Sequence, residues 1–245
     1  MESSDLIVAE GLEKTYQNGV EVRAVRGIDL KIEKGEFTAI VGPSGSGKTT
    51  FLNLISGLDT PTAGRVFLDG REIGNMSGTE LSDFRRDHIG FIFQAYNLIP
   101  VLTATENIEY VMILQGVEKQ RRRKRVMQLL KMVGLEDKAD TRPTMLSGGQ
   151  KQRVAVARAM AASPNIILAD EPTANLDSTT SGELLDMMHQ LNRDTGMTFI
   201  FSTHDPLVMQ RAERLLTLRD GKITADETGS EKSIPGIDGK KEDEE

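Results

Sequence analysis

Eight residues constrain this chain more than any others: Gly42-Pro43-Ser44-Gly45-Ser46-Gly47-Lys48-Thr49, a match to GxxxxGK[ST]. Phe37 to Val41, just before them, reads as a buried strand. Thr50 to Ile55, just after, reads as a helix stopped by Gly57. A glycine-rich turn in that position aims backbone N–H groups inward, where they can surround phosphate oxygens. Lys48 adds a point charge for the terminal phosphates, and the Thr49 hydroxyl is a ligand for Mg²⁺.

The rest of the chain alternates strands with helices. Ile28, Leu30 and Ile32 alternate with Asp29, Lys31 and Glu33 as a half-buried strand, and Val66-Phe67-Leu68 forms a strand before an Asp69-Gly70 turn. Ile89 to Phe93 is another strand. From Thr103 to about Val133 helical periodicity dominates, with Gly134 at the C-terminal cap position, and this stretch reads as an inserted helical subdomain spanning about residues 95–160. Ser147 starts a helix through Met160. Strands follow at Ile166 to Ala169, Thr198 to Ser202 and Leu215 to Leu218, with a helix around Ser181 to Leu191. Such alternation predicts an α/β fold with a mostly parallel sheet and its ligands at the carboxyl ends of the strands.

Composition removes several alternatives. The chain has no cysteine and three histidines, so thiolate chemistry and Cys-ligated metals are excluded and a His-based metal site has little to draw on. The start, Met1-Glu2-Ser3-Ser4-Asp5, carries acid where a secretory leader would carry base. Ile89 to Thr105 holds no charge, but Gly90, Gln94, Asn97 and Pro100 interrupt it and it is short for a bilayer. No membrane span is expected. The net charge of -7 is uneven, because residues 226–245 carry eight acids and three lysines. That segment is expected to be an acidic disordered tail following a 1–225 domain.

The phosphate cradle alone leaves kinases, GTPases and motor ATPases open, and later residues narrow the choice. Asp170 and Glu171 end the apolar strand Ile166 to Ala169, where one carboxylate can hold the hydration shell of Mg²⁺ and the other can orient and polarise a water. Leu146-Ser147-Gly148-Gly149-Gln150 opens a helix with a serine at the cap and two glycines beside the first free N–H groups. It is either a second anion site or an ordinary capped helix.

Taken together, these residues resemble the nucleotide-binding subunit of an ATP-binding cassette (ABC) transporter over roughly residues 6–224. Gly42 to Thr49 matches the Walker A loop, with Thr50 beside it; Gln94 matches the Q-loop, Leu146 to Gln150 the signature, and Ile166 to Glu171 the Walker B strand with its glutamate. Ala174-Asn175-Leu176-Asp177 matches the D-loop and His204 the switch histidine. Tyr16 falls where the family has an adenine-stacking aromatic, although an isolated tyrosine is as often a packing residue. Gln94 could reach Mg²⁺ or the attacking water, or be a polar strand end. His204 could converge with Glu171 on one phosphate, or lie in a surface turn. Asp177 could reach a facing subunit, or cap the helix that starts near Ser178.

The resemblance implies a P-loop NTPase core, an N-terminal antiparallel β subdomain and an inserted helical subdomain. It implies ATP and Mg²⁺ as cofactors and a head-to-tail homodimer in which the signature of one copy closes over ATP held by the Walker A loop of the other. Glu171, His204, Gln94 and Lys48 would then serve hydrolysis, with Thr49, Gln94 and Asp170 around the metal. Without a span of its own, the subunit would drive a separate permease from the cytoplasmic face of the cell membrane, docking it near Ala95 to Val101. The runs Ile89 to Gln94, Asn97 to Pro100 and Leu102 to Asn107 resemble the branch serving lipoprotein release, macrolide and peptide export, and cell-division complexes. Arg121 to Arg125 reads as a solvated helix face rather than a nucleic-acid patch, because no aromatic is interleaved. Two other readings stay open: an ABC ATPase acting on DNA or ribosomes, and an ATP-dependent regulatory clamp without turnover. The first would call for a long coiled-coil insertion or a second cassette, and Glu171 argues against the second.

Overall fold

The computed structural model describes residues 4–229 and Lys232. The chain enters through two 14-residue strands, β1 (Asp5–Asn18) and β2 (Val20–Glu33), paired as an antiparallel hairpin. The alternation at Ile28, Leu30 and Ile32 belongs to β2. The sequence pattern does not predict β1, because its register with β2 shifts at four places between Asp5 and Thr15, and each irregularity breaks the period of two.

β3 (Phe37–Val41) runs through the glycine-rich turn into α1 (Lys48–Ile55). β4 (Ala63–Leu68) and β5 (Arg71–Glu72) complete a four-stranded antiparallel sheet in the order β2-β1-β4-β5. α2 (Gly78–His88) then leads into β6 (Ile89–Ile92). Helical periodicity does not predict α2, although a capping box marks its start: the Ser77 N–H donates to Glu80 at 2.9 Å and the Glu80 N–H donates to Ser77 Oγ.

The helical stretch expected from Thr103 to Val133 is two helices, α3 (Ala104–Leu114) and α4 (Lys119–Met132). Gly116, at φ 71°, breaks it in a left-handed turn. Gly134, at φ 70°, follows α4 in the C-terminal cap position. α5 (Gly148–Ala159), β7 (Ile166–Asp170), α6 (Ser178–Thr195), β8 (Thr198–Thr203), α7 (Pro206–Arg211), β9 (Arg214–Arg219) and β10 (Lys222–Thr228) follow.

β10 overruns the expected start of the acidic tail. Asp226, Glu227 and Thr228 pair with β9, and an ion-pair chain fastens them. Arg214 donates to Asp226 at 2.7 and 2.8 Å and to Glu36 at 3.0 Å, and these carboxylates hold its guanidinium charge above the ordinary arginine range. The start of a tail-like composition is thus ordered by charge pairing rather than by apolar burial. Apart from Gly229 and Lys232, the rest of that expected tail lies outside the described residues.

The larger sheet has the order β10-β9-β3-β8-β7-β6, parallel from β9 to β6 with β10 antiparallel at the edge. Its strands alternate between two cores. Phe37, Ala39, Ile167, Ala169, Phe199 and Phe201 face one way, against apolar residues of α3, α4, α5 and α6. Ile40, Ile166, Leu168 and Ile200 face the other way, against α1 and the antiparallel sheet. Burial on both faces explains why these strands read as continuous apolar runs, and their parallel pairing brings the carboxyl ends of β3, β6, β7 and β8 to one edge.

Candidate active site

At that edge the turn after β3 wraps into a cradle. Gly42, Gly45 and Gly47 have φ of 154°, 79° and 105°. Close packing also excludes side chains here: a Cβ on Gly42 would lie 2.1 Å from the Leu218 carbonyl oxygen, and one on Gly47 would lie 2.3 Å from that of Ala24. Glycine is therefore required twice, for torsion and for space. Lys48 is buried, and its Nζ donates to the carbonyls of Gly42 at 2.8 Å and Pro43 at 3.1 Å, folding the ammonium back over the loop. Ser46 Oγ is buried without a hydrogen-bond partner among the described residues, a donor held within the cradle. The arrangement suits a polyphosphate.

β7 brings the acids, and β8 brings their partners. Thr49 Oγ1, at the start of α1, lies 3.2 Å and 3.3 Å from the two carboxylate oxygens of Asp170. Glu171 turns away from the strand in a left-handed conformation at φ 47°, held by its N–H donating to the Ser202 carbonyl at 2.8 Å. Its carboxylate accepts from Thr203 Oγ1 at 3.1 Å and lies 2.7 Å from His204 Nδ1. With Glu171 as acceptor, His204 Nδ1 is the donor of this bond.

These residues surround a cleft of about 820 Å³ lined by Pro43, Ser44, Gly45, Gly47, Lys48, Thr49, Thr50, Gln94, Glu171 and His204. Its outer wall is Glu21 to Ala24 and Arg26 on β2, with the turn Asp220-Gly221. Gly221 braces the cradle by donating its N–H to the Ser46 carbonyl at 3.0 Å.

Tyr16 flanks the cleft rather than lining it. It pairs across the hairpin with Val22, which does line it, and its hydroxyl donates to Asp59 at 2.8 Å. The Lys14 ammonium sits 5.0 Å from the ring centroid. Burial, with Asp59 nearby, raises the Tyr16 pKa; burial of Asp59 is outweighed by its bonds from Lys14 and Tyr16, which keep that carboxyl low.

The signature residues lie elsewhere. Ser147 caps α5 and accepts from the Gln150 N–H, while the Gln150 side chain accepts from the Ser147 N–H at 3.0 Å. Neither these residues nor Gly148 and Gly149 line the cleft of their own chain. Asp177 caps α6, accepting from the Thr180 N–H at 2.9 Å and hydroxyl at 2.7 Å, and that backbone bond lowers its pKa. The capping alternative raised by the sequence is thus realised.

After Gln94 the loop is held from inside. Asn107, which is 1% exposed, accepts from the Ile99 N–H and donates to the carbonyls of Ile99, Leu102 and Thr103. Val101 is left 70% exposed, near exposed Ile99, with Tyr110, Ile113 and Leu114 also exposed on α3. The basic run on α4 is only partly a solvated face. Arg122 donates to Glu109 at 3.2 Å, and Arg125 turns inward to the Met160 carbonyl at 3.0 Å, where burial lowers its pKa.

Three supporting residues escape sequence reasoning. Thr203 orients Glu171. Asp205 caps α7 and accepts from Thr173 Oγ1 at 2.5 Å, bracing the turn after Glu171; Asp205 before Pro206 is a readable cap signal. Gln152, fully buried on α5, donates to the Pro172 carbonyl at 2.9 Å, and no local pattern announces it.

Comparison with known proteins agrees with this geometry. A family model described as ABC transporter matches residues 25–174. An ABC transporter ATP-binding protein of Methanocaldococcus jannaschii, MJ0796, is 45% identical over 91% of this chain and 97% of its own. The ABC transporter ATP-binding protein YtrE of Bacillus subtilis is 48% identical over 83% of this chain and 88% of its own. The macrolide export ATP-binding/permease protein MacB of Brucella melitensis is 46% identical over 93% of this chain, which spans only 35% of that longer protein. A solved dimeric structure of MJ0796 in a post-hydrolysis state, bound to ADP and Pi, superposes with a TM-score of 0.83 over 91% of this chain and 98% of that one.

Proposed function

The chain belongs to the ABC transporter family of ATP-binding subunits, and from that premise we propose how its residues divide the work. It is an ATPase that binds ATP, dimerises and powers a membrane complex. One observation carries our reading of the site: Pro43, Ser44, Gly45 and Gly47 to Thr50 line the cleft of the chain, while Ser147 to Gln150 do not. Each copy therefore supplies one half of two composite sites, and ATP is held at both seams of a head-to-tail pair.

Gly42 to Thr50 hold the phosphates, with Lys48 neutralising the terminal ones. The Thr49 hydroxyl and the Asp170 carboxylate, 3.2 Å apart, are hard oxygen donors that fit Mg²⁺, with Gln94 in the same cleft. When bound, that ion supplies charge neutralisation on the phosphates. Glu171 accepts the proton of the attacking water, His204 orients Glu171, and Thr203 keeps the carboxylate in place. Tyr16, fixed by Asp59 beside Thr50, presents a ring face to adenine. Asp177 sets the start of α6 near the facing copy. Residues 95–160 act as a helical subdomain within a domain that runs through β10 to Thr228.

Among the described residues no helix is long and apolar enough to cross a membrane, so the motion is passed to other chains. The exposed Ile99 and Val101, in the loop that begins at Gln94, are the docking surface for an integral permease at the cytoplasmic face of the membrane. The likeness to MacB, named as a macrolide export ATP-binding/permease protein, favours a partner of the macrolide-export type.

Purifying the chain from detergent-solubilised native membranes tests this. A permease should co-purify and raise ATP turnover, and Val101→Glu should release it while leaving ATP binding within about twofold, since an exposed substitution perturbs the fold little. A fraction bound to nucleic acid with no membrane protein would contradict the proposal.

A further inference from the structure

Arg158 closes the last turn of α5, at the opposite end from Ser147. Its Nη2 donates to the Tyr96 carbonyl at 2.9 Å and its Nη1 donates to the Asn97 carbonyl. Tyr96 and Asn97 hold φ of 60° and 49°, left-handed values that residues with side chains seldom keep without outside support. A guanidinium fork serves two adjacent carbonyls at once in a fixed geometry, which an ammonium point charge does not supply. Burial lowers the Arg158 pKa, as expected of a cation withdrawn from water to make these bonds.

The other end of α5 meets the same loop. A Cβ on Gly148 would lie 3.1 Å from the Tyr96 hydroxyl, so the tyrosine ring already occupies the space beside this signature glycine. Asn175 Nδ2 donates to the Gln94 carbonyl at 2.8 Å, and the Asn175 carbonyl oxygen faces Gly148, 3.7 Å from where that same Cβ would stand. The loop 94–97 is therefore bonded to one end of this helix and lies against the other. One end of the loop is Gln94, in the chain's own cleft; one end of the helix is Ser147, outside it.

We infer that Arg158 and Tyr96 are positioning residues that lock the Gln94 loop to the Ser147 end of α5, so that nucleotide in one cleft sets the aim of the signature offered to the other copy. The inference rests on the two-copy reading above. Neither residue touches nucleotide in this scheme. Removing either should leave ATP binding to a single chain intact and weaken the step that joins two chains.

The test uses the full chain in a Glu171→Gln background, comparing it with the same chain carrying Arg158→Met, Arg158→Lys or Tyr96→Ala. Binding of a fluorescent ATP analogue to dilute monomer should stay within about twofold. The ATP concentration giving half-maximal dimer, read by light scattering, should rise about tenfold or more for Arg158→Met, as lost charge-assisted bonds predict, and should also rise for Tyr96→Ala, which removes the side chain beside Gly148 and leaves the carbonyl that Arg158 bonds. Arg158→Lys should fall between. With Glu171 intact, the ATP concentration for half-maximal turnover should rise by a similar factor. If Arg158→Met does not fold, Tyr96→Ala decides, because Tyr96 is only half-buried in its loop. Variants that dimerise at the parent's ATP concentration overturn this inference alone. A parent that binds ATP and never dimerises overturns it together with the two-copy reading.

Discussion

Glu171→Gln is expected to bind Mg·ATP, form a stable dimer and turn over roughly 10³-fold more slowly, because a positioned general base contributes about 10²–10⁴ to rate and an amide cannot accept the proton. The substitution keeps the side-chain volume. Its carbonyl oxygen can still accept from Thr203 Oγ1, which lies 3.1 Å from the native carboxylate, so the left-handed turn at φ 47° should survive. What it loses is the second carboxylate oxygen, 2.7 Å from His204 Nδ1, and the basicity that this pair directs at water. Phosphate release measured under multiple turnover, beside light scattering of the same sample, reads both effects. Turnover at the native rate would remove Glu171 from this role.

Lys48→Ala should act one step earlier. The native ammonium is 8% exposed and satisfied by the carbonyls of Gly42 at 2.8 Å and Pro43 at 3.1 Å, so it is aimed into the cradle before any phosphate arrives. Deleting it removes the counter-charge for the terminal phosphates and leaves two loop carbonyls without their donor. A charge-assisted hydrogen bond contributes about 1.5–3 kcal/mol, so ATP binding should weaken roughly 100-fold. Equilibrium titration with ATP distinguishes this from Glu171→Gln, which should bind normally. Affinity within threefold of native would show that the backbone cradle alone suffices.

The parts of the molecule legible in the sequence are those where one physical requirement acts on consecutive residues. The cradle from Gly42 to Thr49 needs glycine for torsion and for space within a few positions, and the doubly buried strands β7 and β8 need apolar residues throughout. Asp170 and Glu171 follow from the end of such a strand. β1 is illegible because its irregular register disperses the alternation, and α2 because only its Ser77-to-Glu80 cap marks it in a polar helix. The last three residues of β10 read as tail because their hold on the core is the Arg214 ion pairs, with Arg214 12 residues from Asp226 and far from Glu36 in sequence.

The supporting contacts are hidden for the same reason. Gln152 meets Pro172 across 20 residues, and Arg158 meets Tyr96 across 62, separations over which a single chain gives no periodic signal. The placement of Tyr16 shows the limit in the other direction. Its position in the motif order suggests a face for adenine, but the hydroxyl bond to Asp59 that fixes the ring spans 43 residues. In each case the sequence names a residue whose partner only the fold reveals.

In the two-copy arrangement, Ser147 of one copy faces the cradle of another across ATP. Because the chain contains no cysteine, introduced thiols report on it without background. Ser44→Cys and Met145→Cys, both at exposed positions, should be placed in separate Glu171→Gln chains, mixed, and treated with a short bismaleimide. The account predicts a covalent dimer in the mixture, dependent on Mg·ATP, and none in either variant alone. Linkage that ignores ATP, or ATP-bound chains that fail to link in the mixture, would contradict it.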